Sequence, residues 1–230
     1  MSNDSDSSIT VTRAMLLSDA FTGTTAWTRH TEIPPGTTRD LRVLLGTPVC
    51  DPDDDSVGVL VEFTLADGAT GHGTVTPTDR FETITKVAAQ DCLAEKLAVI
   101  AQLQMDDSFV VEERGGVLVG TVSLTITPTG GTGSALITSI NRSTLVRPEE
   151  DLAHDWPLNL TVDADGEPLH VDLPLEPSNC NPHIVAEDKR GTFFAVNVVL
   201  SDGPSGIVFV PVTNTVRRDI YAYIAQYCGW

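Results

Sequence analysis

The run Asn179-Cys180-Asn181-Pro182-His183-Ile184-Val185-Ala186-Glu187-Asp188-Lys189-Arg190-Gly191 holds the densest set of side chains able to do chemistry. His183, Glu187 and Asp188 are imidazole and carboxylate donors of the kind that hold divalent metals. One helical turn would put His183 and Glu187 on the same face. The competing reading is a polar loop braced by a disulfide, shaped by Pro182 and Gly191, with Lys189 or Arg190 pairing the acids. Three donors without a fourth nearby do not define a site, so a metal ion is the alternative reading here and no other cofactor is expected.

A second acidic loop follows Cys50. Asp51, Asp53, Asp55 and Glu62 occupy positions 1, 3, 5 and 12 of a calcium-loop template. Position 6, which needs glycine for its sharp turn, is Ser56, and Glu62 falls in an expected strand. An exposed acidic turn is the better reading. His30, His72, His154 and His170 are scattered, and His170 falls on the polar side of an alternating strand. No Gly-x-Ser-x-Gly elbow places a nucleophile. Gly130-Gly131-Thr132-Gly133 lacks the helix and the Lys-Ser/Thr of a phosphate loop. Trp27, Trp156 and Trp230 suit packing better than a carbohydrate surface. Asn141 and Asn159 open sequons that decide nothing. No enzyme is expected.

The elements that must carry these residues read as strands. Ile9 to Leu17, Leu41 to Leu45, Val57 to Leu65 and Gly71 to Val75 are apolar or alternating runs, with Asp67-Gly68 as a hairpin turn. Leu97, Val99, Ala101, Leu103 and Met105 alternate with polar or small residues, which predicts another strand. Further strands are expected around Val122 to Ile126, Ala135 to Ile140, Leu158 to Val162, Leu169 to Leu175, Phe193 to Leu200 and Ile207 to Val212. Short helices are expected near Phe81, Ile84 and Ala88 and, capped by Asn214 or Thr215, over Val216, Ile220, Ile224 and Tyr227.

These elements recur. Val61, Leu65, Asp67, Gly68, Gly71, Val75 and Thr78 face Val196, Leu200, Asp202, Gly203, Gly206, Val210 and Thr213 without a gap. Upstream, LRVLLGTPVCDP from Leu41 resembles LHVDLPLEPSNCNP from Leu169. Four cysteines allow three pairings, and duplication favours Cys50–Cys92 with Cys180–Cys228. Each bridge would close a loop of about 45 residues, worth on the order of 3–4 kcal/mol by chain entropy. Separately buried thiols are the alternative. A zinc site is disfavoured because no two cysteines are near neighbours. The expected fold is all-β: two tandem immunoglobulin-like β-sandwiches, each with one disulfide and a short helix. The expected division is a disordered polar tether over 1–8, a first domain over 9–106, a linker over 107–115 and a second domain over 116–230.

Composition narrows the function classes. A formal charge of -18 over 230 residues repels phosphate backbones and anionic lipid, so nucleic acid is not an expected partner. No run reaches the roughly 18 apolar residues of a membrane helix. Met1 to Ser8 shows neither a basic segment nor an apolar run, which leaves two readings. One is a cytoplasmic chain. The other is a chain that starts where a mature protein would, after a cleaved signal or a lipid-anchored cysteine, and the four cysteines favour it.

The segment CNPHIVAEDKRGTFF and the ending YIAQYCGW resemble a group of uncharacterised secreted or lipid-anchored proteins of actinobacterial type. Their comparable segment runs Arg-Cys-Asp-Pro-His, then Ala-Glu-Asp-Lys and Gly-Thr. The resemblance covers residues 116–230 best and departs at Asn179 and Asn181. It implies an envelope location and a tandem β architecture, and it brings no activity or catalytic residues. The expected function is a secreted or cell-surface, non-enzymatic protein that binds an envelope ligand or another protein. The alternative is an extracellular metal-binding protein using the His183 loop.

Overall fold

A computed structural model describes residues 1–53, 56–149 and 154–230. Its chain divides into two compact units, Met1–Cys92 and Leu93–Trp230. The division falls upstream of the 107–115 segment expected as a linker, and that segment contains a strand paired into a sheet.

In the first unit the elements are β1 (Ile9–Ser18), β2 (Phe21–Thr22), β3 (Thr31–Ile33), β4 (Thr47–Pro48), β5 (Val57–Leu65), β6 (Thr70–Val75) and the start of α1 (Thr83–Ile100). Four strands form one antiparallel sheet in the order β3-β1-β5-β6, and β2 pairs only with β4. Val11, Ala14, Ile33 and Val61 make the sheet's small core, and Ala20, Phe21 and Ala88 make a second. Between β5 and β6 the turn closes through Gly68, whose φ of 86° suits a residue without a Cβ. The expected strand over Leu41 to Leu45 does not form: residues 41–46 carry no ladder, and the Leu44 and Gly46 N–H groups donate to the hydroxyls of Thr25 and Thr24 instead of to backbone carbonyls.

Residues 1–8, expected as a tether, are tied down. Asn3 is 4% exposed, and its Nδ2 donates to the carbonyls of Ile33 and Ser7, each at 2.8 Å. Its Oδ1 accepts from the backbone and hydroxyl of Ser5. One buried amide with all its partners supplied outweighs the polar composition around it.

The second unit continues with the α1 residues from Leu93, then β7 (Ala101–Met105), β8 (Val110–Arg114), β9 (Val117–Pro128), β10 (Ser134–Asn141), β11 (Val146–Pro148), β12 (Trp156–Asp163), β13 (Leu169–Pro177), α2 (Pro182–Glu187), β14 (Phe193–Leu200), β15 (Ser205–Pro211) and α3 (Asn214–Cys228). One sheet runs β12-β10-β14-β15. The other runs β11-β13-β9-β7, with β8 also on β9. Val122, Leu124 and Ile126 of β9 are buried with Leu173 and Leu175 of β13, in one core with Ile137, Val196 and Val198 from the first sheet. The alternating strand expected over Leu97 to Met105 starts only at Ala101. Leu93, Leu97 and Ile100 are spaced for a helix face and go to the core from α1.

Helix α3 shows why the chain folds as it does locally. Thr213 caps it, its hydroxyl accepting from the Val216 N–H; the expected caps were one or two residues later. Val216, Ile220, Tyr223 and Ile224 form the buried stripe, and Gly229 at φ 75° ends the helix.

Both expected disulfides form: Cys50–Cys92 with Cα atoms 5.6 Å apart, and Cys180–Cys228 at 5.5 Å. Each ties a loop to a helix. An immunoglobulin disulfide instead crosses between sheets, so the cysteines themselves do not support that comparison.

Candidate functional site

The loop from Cys180 to Gly191 is built by its own polar side chains. The Asn179 Oδ1 accepts from the Asn181 N–H at 2.7 Å, and the Asn181 Oδ1 accepts from the His183 N–H at 3.0 Å, which caps α2. Pro182 sits in the first turn, where its missing N–H costs nothing. Val185 alone of the six helical residues is buried.

Asp188 ends the turn. One carboxylate oxygen accepts from the Thr144 hydroxyl, and the other accepts from the Gly191 N–H at 2.6 Å. Gly191 returns a bond through its carbonyl to the Ser143 hydroxyl at 3.0 Å. A Cβ on Gly191 would stand 2.5 Å from Leu145 Cγ, so only glycine fits. Behind the loop, the Trp230 indole donates to the Cys180 carbonyl at 3.1 Å, beside the disulfide.

His183 and Glu187 are exposed on α2, while both Asp188 oxygens are committed to the loop itself. Among the described residues no three His, Cys, Asp or Glu side chains converge as a metal site would need. The calcium template meets its own obstacle in the first unit. Glu62 pairs with Arg13 at 3.4 Å across the β1–β5 ladder, away from a loop position. Asp54 and Asp55 lie outside the described residues.

The most chemically loaded cluster is one that motif reading missed. His170 Nδ1 lies 3.7 Å from Asp106 Oδ2, and His170 Nε2 lies 3.5 Å from Asp172 Oδ1. Thr125 Oγ1 donates to Asp106 at 2.7 Å, and Ser123 Oγ donates to Asp172 at 2.6 Å. Thr125 Oγ1 also lies 3.2 Å from His170 Nδ1. Both hydroxyl protons point at carboxylates, so neither is offered to the imidazole as a nucleophile's proton would be. The group sits on the open face of the β7-β9-β13 sheet. The signal was present in the two-residue period: Ser123 and Thr125 share a face of β9, and His170 and Asp172 share the matching face of β13.

A cavity of about 640 Å³ opens beside β12, lined among others by Arg114, Pro148, Glu149, His154, Asp155 and Trp156. Its size suits a small ligand. Its charges are already spoken for: Arg114 bonds Glu112 at 3.2 Å and Glu149 at 2.7 Å, and these partners push the guanidinium pKa up. Trp156 is buried, with its indole donating to the Pro174 carbonyl at 2.9 Å. The tryptophan therefore packs and holds β12 to β13, as expected from its size.

No protein-family model matches the chain, and no curated protein matches it. Among the described residues no helix is long and apolar enough to cross a membrane. What the geometry assembles is a disulfide-bonded β framework whose polar residues chiefly brace loops.

Proposed function

We propose that this is a non-enzymatic secreted or cell-surface protein that presents a duplicated, disulfide-braced β framework for binding or envelope structure. The observation that carries the reading is that all four cysteines are paired, in two local bridges that repeat each other's placement. Such bonds persist in oxidising compartments and are reduced in most cytosols. The net charge of -18 suits cationic or neutral partners over nucleic acid.

Duplication of one ancestral sandwich, immunoglobulin-like in its layering alone, accounts for further details. The sheets β3-β1-β5-β6 and β12-β10-β14-β15 correspond strand for strand in sequence order. Their register shifts fall at Thr12 and Thr138. These threonine hydroxyls donate to the carbonyls of Glu62 and Asn197, at 3.1 and 3.4 Å. The pairing of Val61 with Val196 sets those two residues opposite one another. A hairpin and then a helix carrying the second cysteine follow in both units.

Biotinylation of intact cells with a membrane-impermeant reagent tests the location. Labelling of the lysines before lysis is the expected result. Labelling only after lysis, together with free thiols in the native protein, would overturn the proposal.

A further inference from the structure

In the second unit, β13 has β11 on one side and β9 on the other. In the first unit, the segment matched to β13 is 41–48, and only one of its sides is occupied. Phe21 and Thr22 pair with Pro48 and Thr47, as Val146 and Arg147 pair with Pro177 and Glu176. The same side continues along the chain. The Leu44 carbonyl accepts from the Thr25 N–H at 3.0 Å, the Leu44 N–H donates to Thr25 Oγ1 at 3.2 Å, and the Gly46 N–H donates to Thr24 Oγ1 at 3.4 Å. Backbone groups of alternate residues in an extended chain point to opposite sides. Val43 and Leu45 therefore face the other way, and among the described residues their backbones make no hydrogen bond.

Side chains agree with the backbone. Leu41, Val43 and Leu45 are half-buried and alternate with exposed Arg42 and Leu44, as Leu169, Val171 and Leu173 alternate with exposed His170 and Asp172 on β13. The β13 residues stand opposite Ile126, Leu124 and Val122 of β9. Among the described residues of the first unit no strand takes that place; Leu45 packs on Ala20, Phe21 and Ala88, and the unit's cores hold few buried residues.

We propose that the free edge at Val43 and Leu45 accepts an extended strand from a second polypeptide, apolar at alternate positions like β9, which completes the first unit's second sheet. The proposal rests on the duplication reading above. Edge addition of this kind takes its affinity from main-chain hydrogen bonds and its selectivity from alternate side chains. A hollow of about 440 Å³ lies between residues 25–29 and 40–44, with Trp27, Arg29, Asp40, Arg42 and Leu44 in its lining. Leu44 is 71% exposed, an apolar surface that an added strand would cover.

The probe is a dye-labelled peptide copying Val117–Pro128, titrated into the full oxidised chain by fluorescence anisotropy, with hydrogen exchange to locate it. The expected result is saturable binding and exchange slowed about tenfold over residues 41–46. Two further peptides, N-methylated at the odd or at the even positions, supply the decisive contrast. A strand added along one edge loses binding with one and keeps it with the other. No protection at 41–46, protection only over β13, equal binding of a scrambled peptide, or no difference between the methylated peptides overturns the proposal. Non-reducing peptide mapping runs alongside. The two local bridges with no strand binding sink this inference alone, whereas a Cys50–Cys180 bridge sinks the duplication reading beneath it.

Discussion

Single residues in the 179–191 loop show what its polar side chains do in the fold. His183, Glu187 and Asp188 marked 179–191 as a place of interest, and of the three Asp188 accepts bonds from Thr144 and Gly191. Asp188→Ala should cost about 1–3 kcal/mol in urea unfolding, because it leaves the Gly191 N–H without its partner. His183→Ala, an exposed position, should change stability by less than about 0.5 kcal/mol. Equal losses at both positions would contradict the assignment of roles. Asn3→Ala should likewise cost about 1–3 kcal/mol, since it strips the buried Ile33 carbonyl of its donor. Asn3 was illegible in the sequence because its partners lie far along the chain and its neighbours are those of a tether. The His170 cluster was hidden for a related reason: its members come from β9, β13 and the residue just past β7, which only the sheet brings together.

At the scale of elements, the sequence made strands and turns legible where period two and glycine agreed, as in β5, β6 and the Gly68 turn. It failed where an alternating pattern also fitted a helix. Leu97, Val99 and Ala101 alternate, yet Leu93 and Leu97 one turn apart carried the deciding burial. The start of α1 depends on Asp79, whose carboxylate accepts from the backbone N–H groups of Ile84 at 3.1 Å and Phe81 at 3.3 Å. Backbone hydrogen bonds from Thr83 first, then Ile84, hold its pKa below the usual carboxylate value. This contribution is complete above the unfolded carboxylate pKa and disappears as pH falls through the lower folded value. Amide exchange at Phe81 and Ile84, corrected for intrinsic rates, should rise across that acid range and rise at neutral pH in Asp79→Ala. At the other end of the chain, α3 is pinned by Tyr223, whose phenol donates to the carbonyls of Leu118 and Leu175. Burial pushes this phenol's pKa up, so its contribution holds below about pH 10 and is lost at more alkaline pH. Tyr223→Phe should cost about 1–3 kcal/mol and flatten the alkaline arm of the stability profile.

For the whole molecule, charge and covalent bonds set the conditions of stability. A net charge of -18 repels itself, so salt that shortens the Debye length from about 30 to about 8 Å should raise the melting temperature. A fall instead would show that the surface ion pairs outweigh the repulsion. The two disulfides were legible because the recurring sequence pattern singled out one pairing. The free edge at Val43 and Leu45 was not, since an unpaired strand reads like a paired one until its neighbours are in place. The bridges also change how the chain bears load. A pull on the carboxyl end passes from Cys228 straight to Cys180, skipping β14, β15 and most of α3. Each closed loop, spanning 42 or 48 residues, withholds roughly 150 Å of contour length from a stretched molecule. Under tension the oxidised protein would therefore lengthen by less than its full contour, and reduction would release the difference.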